Sequence, residues 1–196
     1  TDLYKLEDSQ VFGPDLFASM FVSYQYPTYD STPDGGLGTQ SDYVYNPSTD
    51  SYNWLHSYGY YFSKNPQYQG NGQVSKFFNT GKVNHELKAS FNYRRQINDS
   101  ATGWPGDQIF GYTAYAYVVR NVRTIYKTEY YSGTLGDTLT AGNLTINAGI
   151  RYDVQRGKNL PSSAIGNPLV DPTTNEVILP PVIYQGDQGW PFDYKD

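Results

Sequence analysis

The side chains with the chemistry to act as ligands or nucleophiles are few. His56 and His85 are the only imidazoles, and cysteine is absent. The lack of thiols removes disulfide frameworks, thiolate metal sites and cysteine nucleophiles together. The two histidines are far apart in sequence, and neither has a second ligand at metal spacing. Nineteen acids are spread along the chain, but a glycosidase pair is defined by a spatial separation that spacing alone does not supply. No Gly-x-Ser-x-Gly turn and no phosphate loop of the Walker type occurs. Asp30–Gly36 offers oxygen ligands in a turn, yet it lacks the spacing and closing glutamate of an EF-hand. No catalytic residue, metal or cofactor is assigned, and the reading is not an enzyme.

What remains is a set of aromatics in segments rich in turn residues: Tyr43, Tyr45, Tyr52, Trp54, Trp104, Trp190 and Phe192. Of these Trp54, Trp104, Trp190, Tyr43 and Tyr45 are the candidates for ligand contact. Exposed Tyr and Trp stack on sugars or pack against peptide side chains at little entropic cost. The alternative is that they hold long loops together.

The elements that position these loops are strands. Aromatics make up 17% of the 196 residues and 21 of them are Tyr, which argues against a disordered chain. The net charge of −5 provides no basic stripe, so nucleic acid is not expected as a partner. No apolar run approaches the ~18 residues of a membrane helix.

Period-2 alternation is plain in His85–Ile97, where Leu87, Ala89, Phe91, Tyr93, Arg95 and Ile97 oppose Glu86, Lys88, Ser90, Asn92, Arg94 and Gln96. Asn143–Gln155 repeats it, with Leu144, Ile146, Ala148, Ile150, Tyr152 and Val154 opposite Thr145, Asn147, Arg151 and Asp153. Asp15–Tyr26 is a third copy. Gln67–Asn79 has one polar face and an apolar face broken by Lys76, and Arg123–Thr140 is long and β-rich. Ile109–Val119 reads as one arm of an external hairpin. The connections Thr80–Asn84 and Ala141–Asn143 have hairpin length. Those near 27–57, 98–122 and 156–196 are long, and the last carries six prolines from Pro161 to Pro191 that bar a central strand.

Long alternating strands joined by alternately short and long connections are expected of a membrane β-barrel. The expected fold is therefore all-β, an antiparallel meander of long strands forming part of a large transmembrane β-barrel. About five membrane strands are expected, with an apolar face toward outer-membrane lipid and Glu86, Lys88, Arg94, Arg151 and Asp153 on the wet inner face. Tyr24, Tyr26, Tyr93, Tyr130, Tyr131 and Tyr152 would form interfacial girdles. A soluble sandwich whose apolar faces meet explains the alternation as well.

Several segments resemble TonB-dependent outer-membrane receptors. Gly136-Asp-Thr-Leu-Thr140 followed by Asn143-Leu-Thr-Ile-Asn-Ala-Gly-Ile-Arg-Tyr-Asp153 is similar to a barrel hairpin of that family, and Asn84-His-Glu-Leu-Lys-Ala-Ser-Phe-Asn-Tyr-Arg-Arg95 to another of its strands. Tyr4–Gly13 resembles a turn between strands in the Oar-like, carboxypeptidase-regulatory-like subgroup, and Asn159–Asp196 resembles its proline-rich loop. The resemblance implies an outer-membrane receptor that binds an extracellular ligand and imports it with energy relayed by TonB. Its partners would be outer-membrane lipid, the rest of the receptor, TonB through an N-terminal region and an unassigned ligand. Family members carry a plug with a TonB-contacting box and a barrel of about 22 strands. Neither plug nor box is found here, so the chain reads as a fragment of the barrel. The rivals are a secreted all-β binding or adhesion module and a subunit of an extracellular β-rich assembly.

Overall fold

The computed structural model describes residues 1–39, 41–56, 59–105, 109–111 and 116–196; side chains are described at all of these except 41–45, 52, 54–56, 109–111 and 116. Six long strands dominate: β1 (Asp2–Phe12), β2 (Leu16–Tyr26), β7 (Gln67–Thr80), β8 (Val83–Gly103), β11 (Asn121–Ala141) and β12 (Leu144–Asn159). Between β2 and β7 lie β3 (Thr28–Ser31), β4 (Ser41–Asn46), β5 (Ser51–His56) and β6 (Tyr60–Lys64). Between β8 and β11 lie β9 (Ile109–Gly111) and β10 (Ala116–Val118). After β12 come β13 (Ser162–Ile165), β14 (Asn167–Val170), β15 (Val177–Leu179), β16 (Val182–Tyr184) and β17 (Phe192–Lys195).

The protein is all-β, and the long strands form one antiparallel meander in the order β1-β2-β7-β8-β11-β12-β17. Each long strand pairs with its neighbours almost end to end: β8 and β11 stay in register from Val122↔Thr102 to Thr140↔Asn84. Between these neighbours backbone donors and acceptors are satisfied along strands far longer than the ~5–6 residues usual in globular proteins. The outer edge of β1 and most of that of β12 have no strand partner among the described residues.

The connections segregate by end. At one end are Gly13–Asp15, Gly81–Lys82 and Gly142–Asn143. Gly81 at φ +63° and Gly142 at φ +58° each open a two-residue loop. A positive φ at the first loop position is what a type II′ turn demands and what glycine supplies without steric cost. At the other end the chain makes its long excursions, and there the sheet also widens. Strand β6 pairs with the top of β8 and with β3, and β13 pairs with the top of β11 and with β16.

Four expectations need correction. Tyr4–Gly13 is not an inter-strand turn: it lies in β1, paired with β2 from Asp2↔Tyr26 to Phe12↔Leu16, and the turn is only Gly13–Asp15. Its centre is polar on both faces, so the alternation that marks a half-buried strand is missing from the sequence. There are accordingly six long strands, not about five. The segment 98–122 is not all loop, because β8 continues to Gly103 and β11 starts at Asn121, each held by a paired neighbour. Ile109–Val119 supplies both arms of a hairpin, β9 and β10, which join β4 and β5 in a four-stranded sheet.

The meander is a single layer. Among the described residues no large apolar side chain is buried; the buried positions are small or polar, such as Ser63, Ser75, Gly103, Ser132 and Asn167. The accessible surface is 12979 Å². A globular monomer of 22.1 kDa exposes about 9,300 Å², so the chain leaves bare about 3,700 Å² that a compact fold of this mass would hide.

Candidate functional site: two faces and the long-loop end

Because directly opposed residues share a face, the registers sort every side chain of the meander onto one of two surfaces. The first carries Leu144, Ile146, Ile150 and Val154 of β12, Leu135 and Leu139 of β11, and Leu87 and Phe91 of β8. Val74 and Phe78 of β7, Met20 and Val22 of β2, and Leu6 and Phe12 of β1 continue it. These side chains are not covered: Phe91 is 55% exposed, Met20 57% and Ile150 75%. On β12 the apolar run Leu144–Val154 covers ten residue steps, about 34 Å along the strand at ~3.4 Å per residue. At a ~40° tilt this is about 26 Å, close to the ~25 Å apolar band of membrane barrels.

Several polar side chains within the apolar band are paired with one another. His85 Nδ1 lies 2.7 Å from Asp137 Oδ2, with Phe78 stacked on the imidazole at 4.6 Å. Lys76 reaches Asp15 at 2.5 Å beside the tight turns. In the middle of the band, on the edge strand β1, Gln10 Nε2 donates to Asp8 Oδ1 at 2.9 Å.

At the long-loop edge of the apolar band runs a row of tyrosines. Tyr24 lies 6.4 Å from Tyr4 and 4.9 Å from Tyr68, and Tyr93 lies 5.2 Å from Tyr131. Tyr130 is not in this row. It faces the polar side, where its hydroxyl donates to Asp153 Oδ1 at 2.7 Å. Tyr152 sits inside the band, opposite Gly133.

The second face is held together by hydrogen bonds that cross strands. Asn71 Nδ2 donates to Asn92 Oδ1 at 2.5 Å, and Asn92 Nδ2 donates to Ser132 Oγ at 3.1 Å, linking β7, β8 and β11. The Ser90 and Thr134 hydroxyls are 2.6 Å apart. Of the five charged residues expected on this face, Lys88 pairs with Glu86 at 2.6 Å and Arg151 with Asp153 at 2.7 Å. Arg94 lies over the Tyr130 ring at 5.8 Å. Nearer the loops, Asn98 bonds to Asn65, and Ser100 links to Tyr61 at 3.2 Å.

Of the five candidate aromatics, the two whose side chains are described, Trp104 and Trp190, are held at different places. Tyr43 pairs with Trp54 across the β4–β5 hairpin and Tyr45 with Tyr52, but the side chains of Tyr43, Tyr45 and Trp54 lie outside the described residues. The Trp104 backbone N–H donates to Asn121 Oδ1 at 2.9 Å, and the Trp104 indole lies against Gly59, where an added Cβ would stand 3.6 Å from the ring. Trp190 stands on the first face, its ring approached by Arg156 at 4.6 Å and by Lys127 and Lys158 at 5.1 Å each. The β11 anchors of the two tryptophans, Asn121 and Lys127, are six residues apart, about 20 Å along the strand.

Ion pairs also order the long-loop end. Arg123 grips Asp99 with two donors, Nε at 2.8 Å and Nη2 at 2.6 Å, which holds that carboxyl below its ordinary range. In the segment after β12, Asp187 accepts from the Tyr184 hydroxyl and from the Asn159 backbone N–H, and its carboxyl is lowered for that reason. Asp171 is lowered likewise by the N–H groups of Thr173 and Thr174. Among the described residues no group of three His, Cys, Asp or Glu side chains is placed to hold a metal ion.

The class defined by this geometry is a single-layer antiparallel β-meander with one bare apolar face and one hydrogen-bonded polar face. Neither a protein-family model, nor a curated protein, nor a solved structure matches the chain.

Proposed function

We propose that this chain forms part of the wall of an outer-membrane β-barrel of the TonB-dependent receptor kind, with its apolar face against lipid and its polar face lining the lumen. The observation that carries the reading is the uncovered apolar face. Twelve side chains (Leu6, Phe12, Met20, Val22, Val74, Phe78, Leu87, Phe91, Leu135, Leu144, Ile146 and Ile150) are substantially exposed on it. Leaving them in water forgoes on the order of 10–20 kcal/mol, as large as the entire stability of an ordinary domain, about 5–15 kcal/mol. Hydrocarbon removes that penalty. A wall also explains why tight turns and long loops fall at opposite ends, and why tyrosines line one margin of the apolar band.

Six long strands leave open edges, which hydrocarbon does not tolerate, so further strands must complete the wall. The TonB-dependent kind rests on the likeness of Asn84–Arg95 and Asn143–Asp153 to strands of that family. In this reading the long loops, with Trp104 and the β4–β5 hairpin, meet an extracellular ligand first, and TonB-relayed energy drives its import. A soluble sandwich needs a second sheet over Phe91 and Ile150, and this chain supplies none among its described residues. An extracellular β-assembly would instead cover that face with neighbouring chains.

Cell fractionation combined with intact mass tests the proposal. It expects the polypeptide bearing Asn143–Asp153 in the outer-membrane fraction, extractable only by detergent, at a mass several times 22.1 kDa. A water-soluble species of 22.1 kDa would overturn it, and detergent-resistant polymers would favour the assembly.

A further inference from the structure

The cluster beneath Trp190 has an electrostatic feature that its own residues do not resolve. Lys127 and Lys158 are directly opposed across β11 and β12 on the apolar face, just beyond the end of the apolar run. Like charges at directly opposed strand positions repel. Arg156 joins them, so three cations converge on one indole at 4.6 to 5.1 Å. The nearest acid is already taken: Glu129 accepts from Lys127 at 2.7 Å, from Arg156 at 3.1 Å and from the Tyr131 hydroxyl at 2.9 Å. Asp187 is engaged by Asn159 and Tyr184, and Asp193, opposite Arg156, bonds to Lys195 at 3.2 Å. Arg95, opposite Glu129, adds another cation. Five cations (Arg95, Lys127, Arg156, Lys158 and Lys195) thus meet three acids, a local charge of +2 in a chain whose net charge is −5.

We propose that Lys127, Arg156 and Lys158, with Trp190 as their platform, bind a phosphate group of a membrane-lipid headgroup. This rests on the lipid-facing reading of the apolar face and deepens it. The position selects the ligand. Arg156 follows Val154 on the same face, and Tyr93 and Tyr131 mark the boundary below it. An anion there stands at headgroup depth while its acyl chains lie along Ile150 and Phe91. A phosphate oxygen between the two ammonium groups relieves their repulsion and accepts charge-assisted hydrogen bonds. Trp190 excludes water from one side and fixes the cations by cation–π attraction.

The test uses the full-length protein in detergent micelles, with native mass spectrometry counting bound phosphatidic acid against diacylglycerol of the same acyl composition. The wild type is expected to retain phosphatidic acid at least ten times better than diacylglycerol. K127Q/K158Q is expected to lose that preference while keeping its heat-modifiable mobility, the sign of an intact barrel. Equal retention of the two lipids, or an unchanged preference in K127Q/K158Q, overturns the proposal. Complete displacement by millimolar inorganic phosphate also overturns it, since a free anion would then be the ligand. A wild type that stays soluble without detergent sinks the wall reading as well; one that requires detergent but binds both lipids alike sinks only the headgroup site.

Discussion

Ile150 and Phe91 stand on one face of the sheet, 75% and 55% exposed, while Ser132 on the other face is only 2% exposed and bonded to Asn92. The same strands build both surfaces, yet the polar one is finished within the chain and the apolar one is not. The polar face draws its order from side chains that satisfy each other from strand to strand. The apolar face has almost nothing to offer its neighbours except area, and that area has no cover. The proposed wall between two solvents predicts that substitutions on the two faces behave differently.

The largest contrast is expected from charge. In the full-length protein reconstituted in phospholipid, Ile150→Lys should lower stability to urea by about 2–4 kcal/mol, the cost of a cation near the middle of the hydrocarbon. Gln73→Lys, at an exposed position on the polar face, should stay within about 0.5 kcal/mol. Equal effects would break the distinction between the faces. Next comes the polar ladder. Asn92→Leu removes the partner of the Ser132 hydroxyl and leaves the Asn71 amide only the Phe91 carbonyl at 3.4 Å, and a loss of about 1–3 kcal/mol is expected in the same assay. A neutral or stabilising result would mean that the polar face is held by packing. Gly142→Ala forces an L side chain to φ +58° and should cost about 1 kcal/mol, wherever the sheet's faces point.

The smallest effect concerns pH at the long-loop end. The Arg123 guanidinium lowers the Asp99 carboxyl below its ordinary 3.8. A depressed folded value means that the pair's contribution is complete above pH 3.8 and is lost as pH falls through the lower folded value. Carbon NMR of the Asp99 carboxyl should therefore show a midpoint below 3.8 that returns to the ordinary value in Arg123→Gln. The pair is half exposed on the arginine side, so little change in global stability is expected.

The meander was legible wherever one face was mainly apolar, as in His85–Ile97 and Asn143–Gln155. Strand β1 was not, because Asp8 and Gln10 interrupt one face and Lys5, Glu7 and Ser9 the other. The run Asn98–Gly103 reads as a loop by its turn-forming residues, but pairing with β6 and β11 overrides that local preference. Loop aromatics were a visible signal, though spacing alone did not indicate that Trp190 would stand over cations. Lys127, Arg156, Lys158 and Trp190 are scattered through more than sixty residues; the β11–β12 register gathers the three cations, and the segment before β17 sets Trp190 over them. A lysine directly opposite a lysine is a signal that sequence can offer only after the register is known.

The most direct test of the bare apolar face places spin labels in a stretch that has no cysteine of its own, with any cysteine outside these 196 residues replaced. Single cysteines at positions 87 to 92, each carrying a nitroxide in the reconstituted full-length protein, report collisions with oxygen and with a water-soluble nickel chelate. Labels at 87, 89 and 91 should meet oxygen and exclude nickel, while those at 88, 90 and 92 should admit nickel. If 87, 89 and 91 were shielded from both reagents, protein rather than lipid would cover that face, and the membrane-wall account would be contradicted.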